Sequence, residues 1–180
     1  IIFSFATDVF TESFSQLSFL ENEGFLSKSK KLSVISNGSM MGVDTKKFIP
    51  NNTVKKIIKA NLNIKGKFTI IFVGRINLEK GIETLINAAK YFDNKKLKIH
   101  FILIGKNEME PNLLINFLKD RSNVSYLSFK NNINDYLAAS DVLCLPSFRE
   151  GFGLSVIEAA CCGIPSIISN IHGLKDTVVS

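Results

Sequence analysis

From position 68 onward, unbroken apolar runs alternate with apolar residues spaced three and four apart. Phe68 to Gly74 is a continuous apolar run, the pattern of a central parallel strand buried on both faces. Ile82, Leu85, Ile86, Ala89 and Phe92 then form the stripe of a helix laid on a sheet. Ile99 to Gly105 reads as the next strand, and Pro111 to Lys119 as the returning helix, with Leu113, Leu114, Phe117 and Leu118 turned inward. The same alternation continues through a strand at Val124 to Leu127 and a short helix at Ile133 to Ala139. A strand at Val142 to Leu145, a helix at Gly153 to Cys162 and a strand at Ile164 to Ser169 complete it. The pattern predicts an α/β fold with five parallel strands in a Rossmann-like sheet flanked by helices.

Upstream the pattern is shorter in period and weaker. Val9 to Thr11 and Leu32 to Ser36 are strand candidates, the second closing in the turn pair Asn37-Gly38. Between them Phe14, Leu17 and Leu20 recur at helical intervals within Glu12 to Glu23, and Gly24 supplies the stop. Ser39 to about Lys67 reads as a connection carrying one short helix near Val54 to Asn61.

The stretch from Pro146 to Pro165 holds the chemistry. Its predicted helix is apolar or small on every side except at Glu158, so it should be buried all round with one carboxylate in its wall. An ionised acid without a partner in such surroundings costs about 1–3 kcal/mol or more. Glu158 is therefore satisfied by the protein or directed at a ligand. Gly151 and Gly153 open the helix, where free N–H groups and the dipole attract phosphate. Glu150 stands in front of that end, and Glu158 sits little more than one turn inside at roughly 1.5 Å rise per residue. A nucleotide with its phosphates at the helix start could meet one carboxylate on the group beyond the phosphates and the other on the ribose. Taken singly, each acid has a plainer reading: Glu150 pairs with Arg149 on the surface, and Glu158 bonds a backbone group.

The spacing Pro146-Ser147-x-x-Glu150-Gly151-Phe152-Gly153-Leu154-x-x-x-Glu158-Ala159-x-x-x-Gly163-x-Pro165 resembles the E-x7-E signature of glycosyltransferase family 4, retaining enzymes of the GT-B fold. The resemblance implies that Glu150 contacts donor-sugar hydroxyls and Glu158 the ribose hydroxyls. It also implies that the Gly151-Phe152-Gly153 backbone and Leu154 approach the sugar and phosphates. The run Gly74-Arg75-x-x-x-x-Lys80-Gly81 matches the family arrangement in which an Arg and a Lys hold the donor diphosphate. Arg75, Lys80 and Glu150 are thereby the catalytic candidates, and Gly74 joins them in the donor site. The base is expected at the loop around Ser128 to Ile133, through backbone groups. Residues 1–38 then close an N-terminal acceptor-side domain, 39–67 form the connection, and 68–180 form the donor-binding domain. The chain reads as an interior stretch of such an enzyme, because Ile1 is not an initiator methionine and Ser180 falls within a helix expected after Gly173.

Composition narrows the alternatives. With 180 residues, 46% of them hydrophobic, one domain with a proper core is expected. The formal charge of +6 comes almost wholly from lysine, with arginine only at 75, 121 and 149, which argues against a dedicated nucleic-acid reader. Such a surface is compatible with peripheral contact with an anionic membrane, or with solvated lysines alone. Cys144, Cys161 and Cys162 lie inside apolar patterns and read as reduced core thiols of a cytoplasmic protein. His100 and His172 have no metal partner at useful spacing, so no metal and no cofactor are expected.

Two cations beside a leaving diphosphate can neutralise it without a metal. The expected partners are a nucleoside diphosphate sugar as donor and a saccharide or lipid-linked acceptor, in bacterial surface polysaccharide synthesis at or near the inner face of the cytoplasmic membrane. A non-catalytic or epimerase-type GT-B protein is the alternative. A dinucleotide-binding module fits less well, since no G-x-G-x-x-G follows the first strand. A retaining hydrolase pair would face across about 5 Å, whereas Glu158 is set back along its helix.

Overall fold

The computed structural model describes residues 5–24, 31–119 and 121–178. Thirteen elements matter here: β1 (Asp8–Thr11), α1 (Phe14–Asn22), β2 (Lys31–Val34), α2 (Asn52–Asn61), β3 (Phe68–Val73), α3 (Ile82–Asn94), β4 (Ile99–Ile104), α4 (Pro111–Leu118), β5 (Val124–Leu127), α5 (Ile133–Ala139), β6 (Val142–Leu145), α6 (Leu154–Cys161) and β7 (Ser166–Ile168).

Five strands pair in the order β5-β4-β3-β6-β7, every pair parallel. β3 is central, in register with β4 from Phe68↔Ile99 to Val73↔Ile104 and with β6 at Ile70↔Val142 and Ile71↔Leu143. Four consecutive positions of β3, Thr69 to Phe72, are buried, which requires cover on both faces. The strand order reverses direction between β3 and β6, and in such sheets ligands bind outside the carboxyl ends of the strands at that point.

The apolar stripe of α3 behaves as its spacing demands: Ile82, Leu85, Ile86 and Ala89 are all buried. In α4, by contrast, Leu114 is buried while Leu113 stays exposed, so the expected inward face is narrower. The expected all-round burial of α6 is also corrected. Val156 and Ala159 are buried but Ala160 is exposed, because α6 packs over β6 and the edge strand β7 rather than at the centre of the sheet.

β1 and β2 form a separate parallel pair. The helix between them does not bury the face its apolar residues suggest: Phe14 is exposed, and the buried residue is Ser15. Polar docking explains this. The Ser15 amide donates to Asp176 Oδ2 at 2.7 Å, and the Gly173 amide donates to Ser15 Oγ at 2.7 Å. Over the described residues, the helix expected after Gly173 is a single 3-10 turn at Leu174–Thr177, and its run to Ser180 lies outside them.

The connection between the two parts is well fastened. Phe48 and Ile64 join the main core cluster. At the amino end of β6, Asp141 accepts from Lys55 Nζ at 2.7 Å, Lys59 Nζ at 2.9 Å, and the Thr69 amide and hydroxyl at 2.8 and 2.7 Å. This hub ties α2 to the sheet at the end opposite the loops considered next. Burial would raise the Asp141 pKa, but these donors outweigh it and hold the carboxyl well below the usual range.

Candidate functional site

The carboxyl end of β3 runs into Gly74-Arg75-Ile76-Asn77 and a 3-10 turn at Leu78–Lys80. Asn77 caps that turn, its Oδ1 accepting from the Lys80 amide at 3.0 Å. Gly81 follows at φ 73°, hard against the Pro146 carbonyl where no Cβ would fit. Only glycine therefore lets this loop close on the end of β6. Closure is completed by the Phe148 amide donating to the Glu79 carbonyl at 2.8 Å.

That closure brings Lys80 to Glu150. The ammonium meets Glu150 Oε1 at 2.6 Å and donates to the Arg149 carbonyl at 3.2 Å. Ser147, itself buried, donates to the same Oε1 at 3.0 Å. Both charged side chains are largely enclosed, at 11% and 14% exposure. One N–H of the ammonium and the second carboxylate oxygen, Oε2, take no hydrogen bond among the described residues. Arg149 pairs with Glu79 at 3.1 Å on the surface, so the surface Arg149–Glu150 pair is not formed.

Arg75 stands at the same strand end but is 58% exposed, its Nη1 3.2 Å from Glu108 Oε2. Asn77 donates to that same oxygen at 3.0 Å. A cavity of about 200 Å³ adjoins it, lined by Gly74, Gly105, Lys106, Phe129, Lys130 and Ile133 among others. The loop expected to hold the base thus borders Arg75.

Gly153 starts α6, whose first turn contains no acidic residue, so the positive end of its dipole is not neutralised from within. Gly151 lies against the Glu12 carboxylate, which a Cβ there would displace. Phe152 rests against the turn at Gly38. Gln16 Nε2 donates to the Glu150 carbonyl at 3.1 Å. The glycine loop is therefore clasped from the β1–α1 side, which periodicity could not reveal. Asn77 and Ser147 each stand three residues before the charged group they serve, a role that periodicity does not single out. A cleft of about 560 Å³ opens beside this contact, between α1 and the loop at Glu150, with Phe19, Phe148, Ile171 and His172 in its walls.

Glu158 is half-buried, and among the described residues no hydrogen bond or ion pair reaches its carboxylate. The backbone partner offered by the plainer reading is not present among them. Burial pushes its pKa up, and the charge of Lys47 opposes that rise. Among the described residues neither histidine bonds to Lys80, Glu150 or Glu158. His100 is buried with Nε2 2.8 Å from Ser125 Oγ, and burial with the Lys67 charge lowers its pKa to about 4. His172 packs against the Phe19 ring at 4.8 Å between centroids. Among the described residues no group of three or more His, Cys, Asp or Glu converges on a metal position, and no helix is long and apolar enough to cross a membrane.

Comparison with known proteins places this geometry. The chain is 30% identical over 180 residues to the N,N'-diacetylbacillosaminyl-diphospho-undecaprenol alpha-1,3-N-acetylgalactosaminyltransferase of Campylobacter jejuni, covering 98% of this chain and 46% of that protein. It is 34% identical over 166 residues to the capsular polysaccharide biosynthesis glycosyltransferase CapM of Staphylococcus aureus, covering 86% and 41%. The chain thus spans less than half the length of these relatives. Among solved structures, HepE of Anabaena in complex with UDP and glucose superposes with a TM-score of 0.80 at 22% identity, over 99% of this chain and 48% of that one. Sucrose-phosphate synthase of Thermosynechococcus elongatus superposes with a TM-score of 0.77 at 28% identity, over 99% and 44%. The fold is that of the GT-B glycosyltransferases. Residues 54–180, which carry the five-stranded sheet and both loops of the site, match the family of glycosyl transferases group 1, and the chain belongs to that family.

Proposed function

We propose that this chain forms the donor side of a retaining glycosyltransferase. It moves a hexosyl or N-acetylhexosaminyl group from a nucleoside diphosphate sugar to a saccharide or lipid-linked acceptor in bacterial surface polysaccharide synthesis. The observation that carries the reading is the Lys80–Glu150 pair at the switch point, with one N–H and one carboxylate oxygen left over. A phosphate suits the free N–H, and a sugar hydroxyl suits the free oxygen. The names of the Campylobacter jejuni relative and of an Escherichia coli relative, 35% identical over 149 residues, both specify diphospho-undecaprenol acceptors, which supports the acceptor class.

Each group has one task in this mechanism. The helix start at Gly153 and the Lys80 ammonium receive the diphosphate, and Arg75 swings from its exposed pair with Glu108 to share the leaving charge. The preorganised, enclosed Lys80 and the incoming Arg75 stabilise charge that grows in the transition state, so in this reading the step uses no metal. Glu150 holds the sugar as it gains oxocarbenium character, and Glu158 accepts the ribose hydroxyls. The acceptor attacks the face that the diphosphate leaves, and the anomeric configuration is kept. In this reading a lipid-linked acceptor brings the enzyme to the membrane, at its cytoplasmic face.

The test is a transfer assay of the complete enzyme with a panel of nucleotide sugars and a diphospho-undecaprenol-linked acceptor, with the product anomer read by NMR. Transfer with the donor's anomeric configuration supports the reading. An inverted product removes retention, and no transfer with any donor removes the enzyme assignment.

A further inference from the structure

Lys47 lies in the connection between β2 and α2, in neither of the two loops that hold Lys80 and Glu150. Its neighbours are unusual for a surface lysine. The amides of Lys46 and Lys47 are both held by Asp44 Oδ1, at 2.9 and 3.3 Å, and the next side chain, Phe48, is locked in the core. The backbone at Lys47 is thus fixed, although the side chain is exposed. Its ammonium donates to the Asn131 carbonyl at 3.3 Å, on the same loop as Phe129 and Lys130, which line the cavity beside Arg75. The same region is closed from the far end of α6, where Cys162 Sγ lies 3.9 Å from the Asn134 carbonyl and Pro50 packs against Gly163, so the connection, the Asn131 loop and the helix that carries Glu158 meet there.

We infer that Lys47 is a positioning residue of the nucleoside end of the donor site, tying the connection to the Asn131 loop and supplying the positive charge opposite Glu158. The inference rests on the reading of Glu158 as the ribose acceptor. Physically, the ammonium does two things. Its bond to Asn131 ties the connection to the loop that borders the cavity beside Arg75, where the nucleoside is proposed to lie. Its charge opposes the upward push of burial on the Glu158 pKa, and the ionised carboxylate offers both oxygens to the ribose hydroxyls as charge-assisted acceptors. The other groups acting around Glu158 are the thiols of the last turn, of which burial pushes Cys162 up to about 11. Cys162 therefore stays neutral through the physiological range, and a thiol cannot supply a positive charge in any case.

The experiment is calorimetric titration of the chain with UDP, GDP and ADP from pH 4.5 to 8, on the wild type, Lys47→Ala, Lys47→Arg, Lys46→Ala and Glu158→Gln. With the best of the three nucleotides, wild-type binding weakens as the pH falls and Glu158 takes up a proton. Lys47→Ala is expected to weaken binding about threefold to tenfold at neutral pH and to move that acid limb up by at least about half a pH unit. Lys47→Arg should restore both, and Lys46→Ala should change neither. Unchanged affinity in Lys47→Ala overturns the inference. So does a weaker affinity with an unmoved acid limb, which would mark Lys47 as a structural tether alone. Glu158→Gln separates the two levels: if it binds nucleotide as the wild type does, the ribose reading itself is wrong. If it weakens binding while Lys47→Ala does not, only the role of Lys47 falls.

Discussion

Lys80 and Glu150 are tied at 2.6 Å across the carboxyl ends of the two strands where the sheet reverses its order. The pair joins the group suited to a phosphate and the group suited to a sugar, so the two halves of a donor meet a single preorganised unit. Its consequences differ from those of two independent residues. Lys80→Ala removes a transition-state donor and also leaves an enclosed carboxylate without its cation. In the complete enzyme turnover should fall by roughly 10²–10³. The double variant Lys80→Ala with Glu150→Gln should lose clearly less than the sum of the two single losses, as expected for residues in contact. Strict additivity in a double-mutant cycle on kcat would show that the pair does not act as one.

Arg75 makes a contrasting case. Its pair with Glu108 is exposed, and such pairs contribute only about 0.2–1 kcal/mol. Glu108→Gln should therefore leave the urea midpoint almost unmoved, while Arg75→Ala should cut turnover by about 10². A large stability loss in Glu108→Gln, or full turnover in Arg75→Ala, would remove Arg75 from the role of a swinging clamp.

If Lys80, Arg75 and the helix start together receive the diphosphate as proposed, transfer should persist in excess chelator. Loss of transfer under chelation, with recovery on adding Mg²⁺, would contradict this account of the leaving group.

Stability should fall in two stages as the solution is acidified. His100 has its pKa lowered to about 4 by burial and the Lys67 charge, from 6.5. The unfolded chain therefore takes up a proton that the folded chain refuses, and stability drops between about 6.5 and 4. Asp141 acts in the same sense over a lower window, since here too the unfolded chain takes up the proton first. Its folded carboxyl titrates far below the ordinary 3.8, so the stabilisation is complete above that value and is lost as pH falls through and beneath it. His100→Gln should flatten the first stage of a plot of urea midpoint against pH. Asp141→Asn should cost roughly 2–3 kcal/mol at neutral pH and flatten the second. A single stage that neither substitution changes would sink both assignments.

The parts of this molecule that sequence patterning reached are those set by local periodicity and by glycine. β3 and β4 are unbroken apolar runs because both faces of a central strand are covered, and α3 shows its stripe because one face lies on the sheet. The loop from Gly151 to Gly153 was legible because a strand, a glycine turn and a helix start leave a distinct spacing. What stayed hidden depends on contacts between distant loops. Nothing in the sequence around Glu12 signals that its carboxylate lies on Gly151, nor around Lys55 and Lys59 that both serve Asp141. The apolar surround of Glu158 suggested full burial, but α6 lies toward the sheet edge, where the same composition leaves part of the helix open. In α1, hydroxyl and amide contacts of Ser15 outweighed the apolar spacing, and Phe14 was left outside.

The central claim is that Glu158 accepts the ribose of a nucleoside diphosphate sugar. It is tested most directly by titrating this chain, as wild type and as Glu158→Gln, with UDP, GDP or ADP and with the matching 2′-deoxy nucleotide. Removing one partner of a buried charge-assisted bond costs about 1.5–3 kcal/mol. The account predicts that the wild type binds the ribonucleotide at least about tenfold more tightly than the deoxy form, and that Glu158→Gln loses most of that preference. Equal affinity of the wild type for the two forms would contradict it.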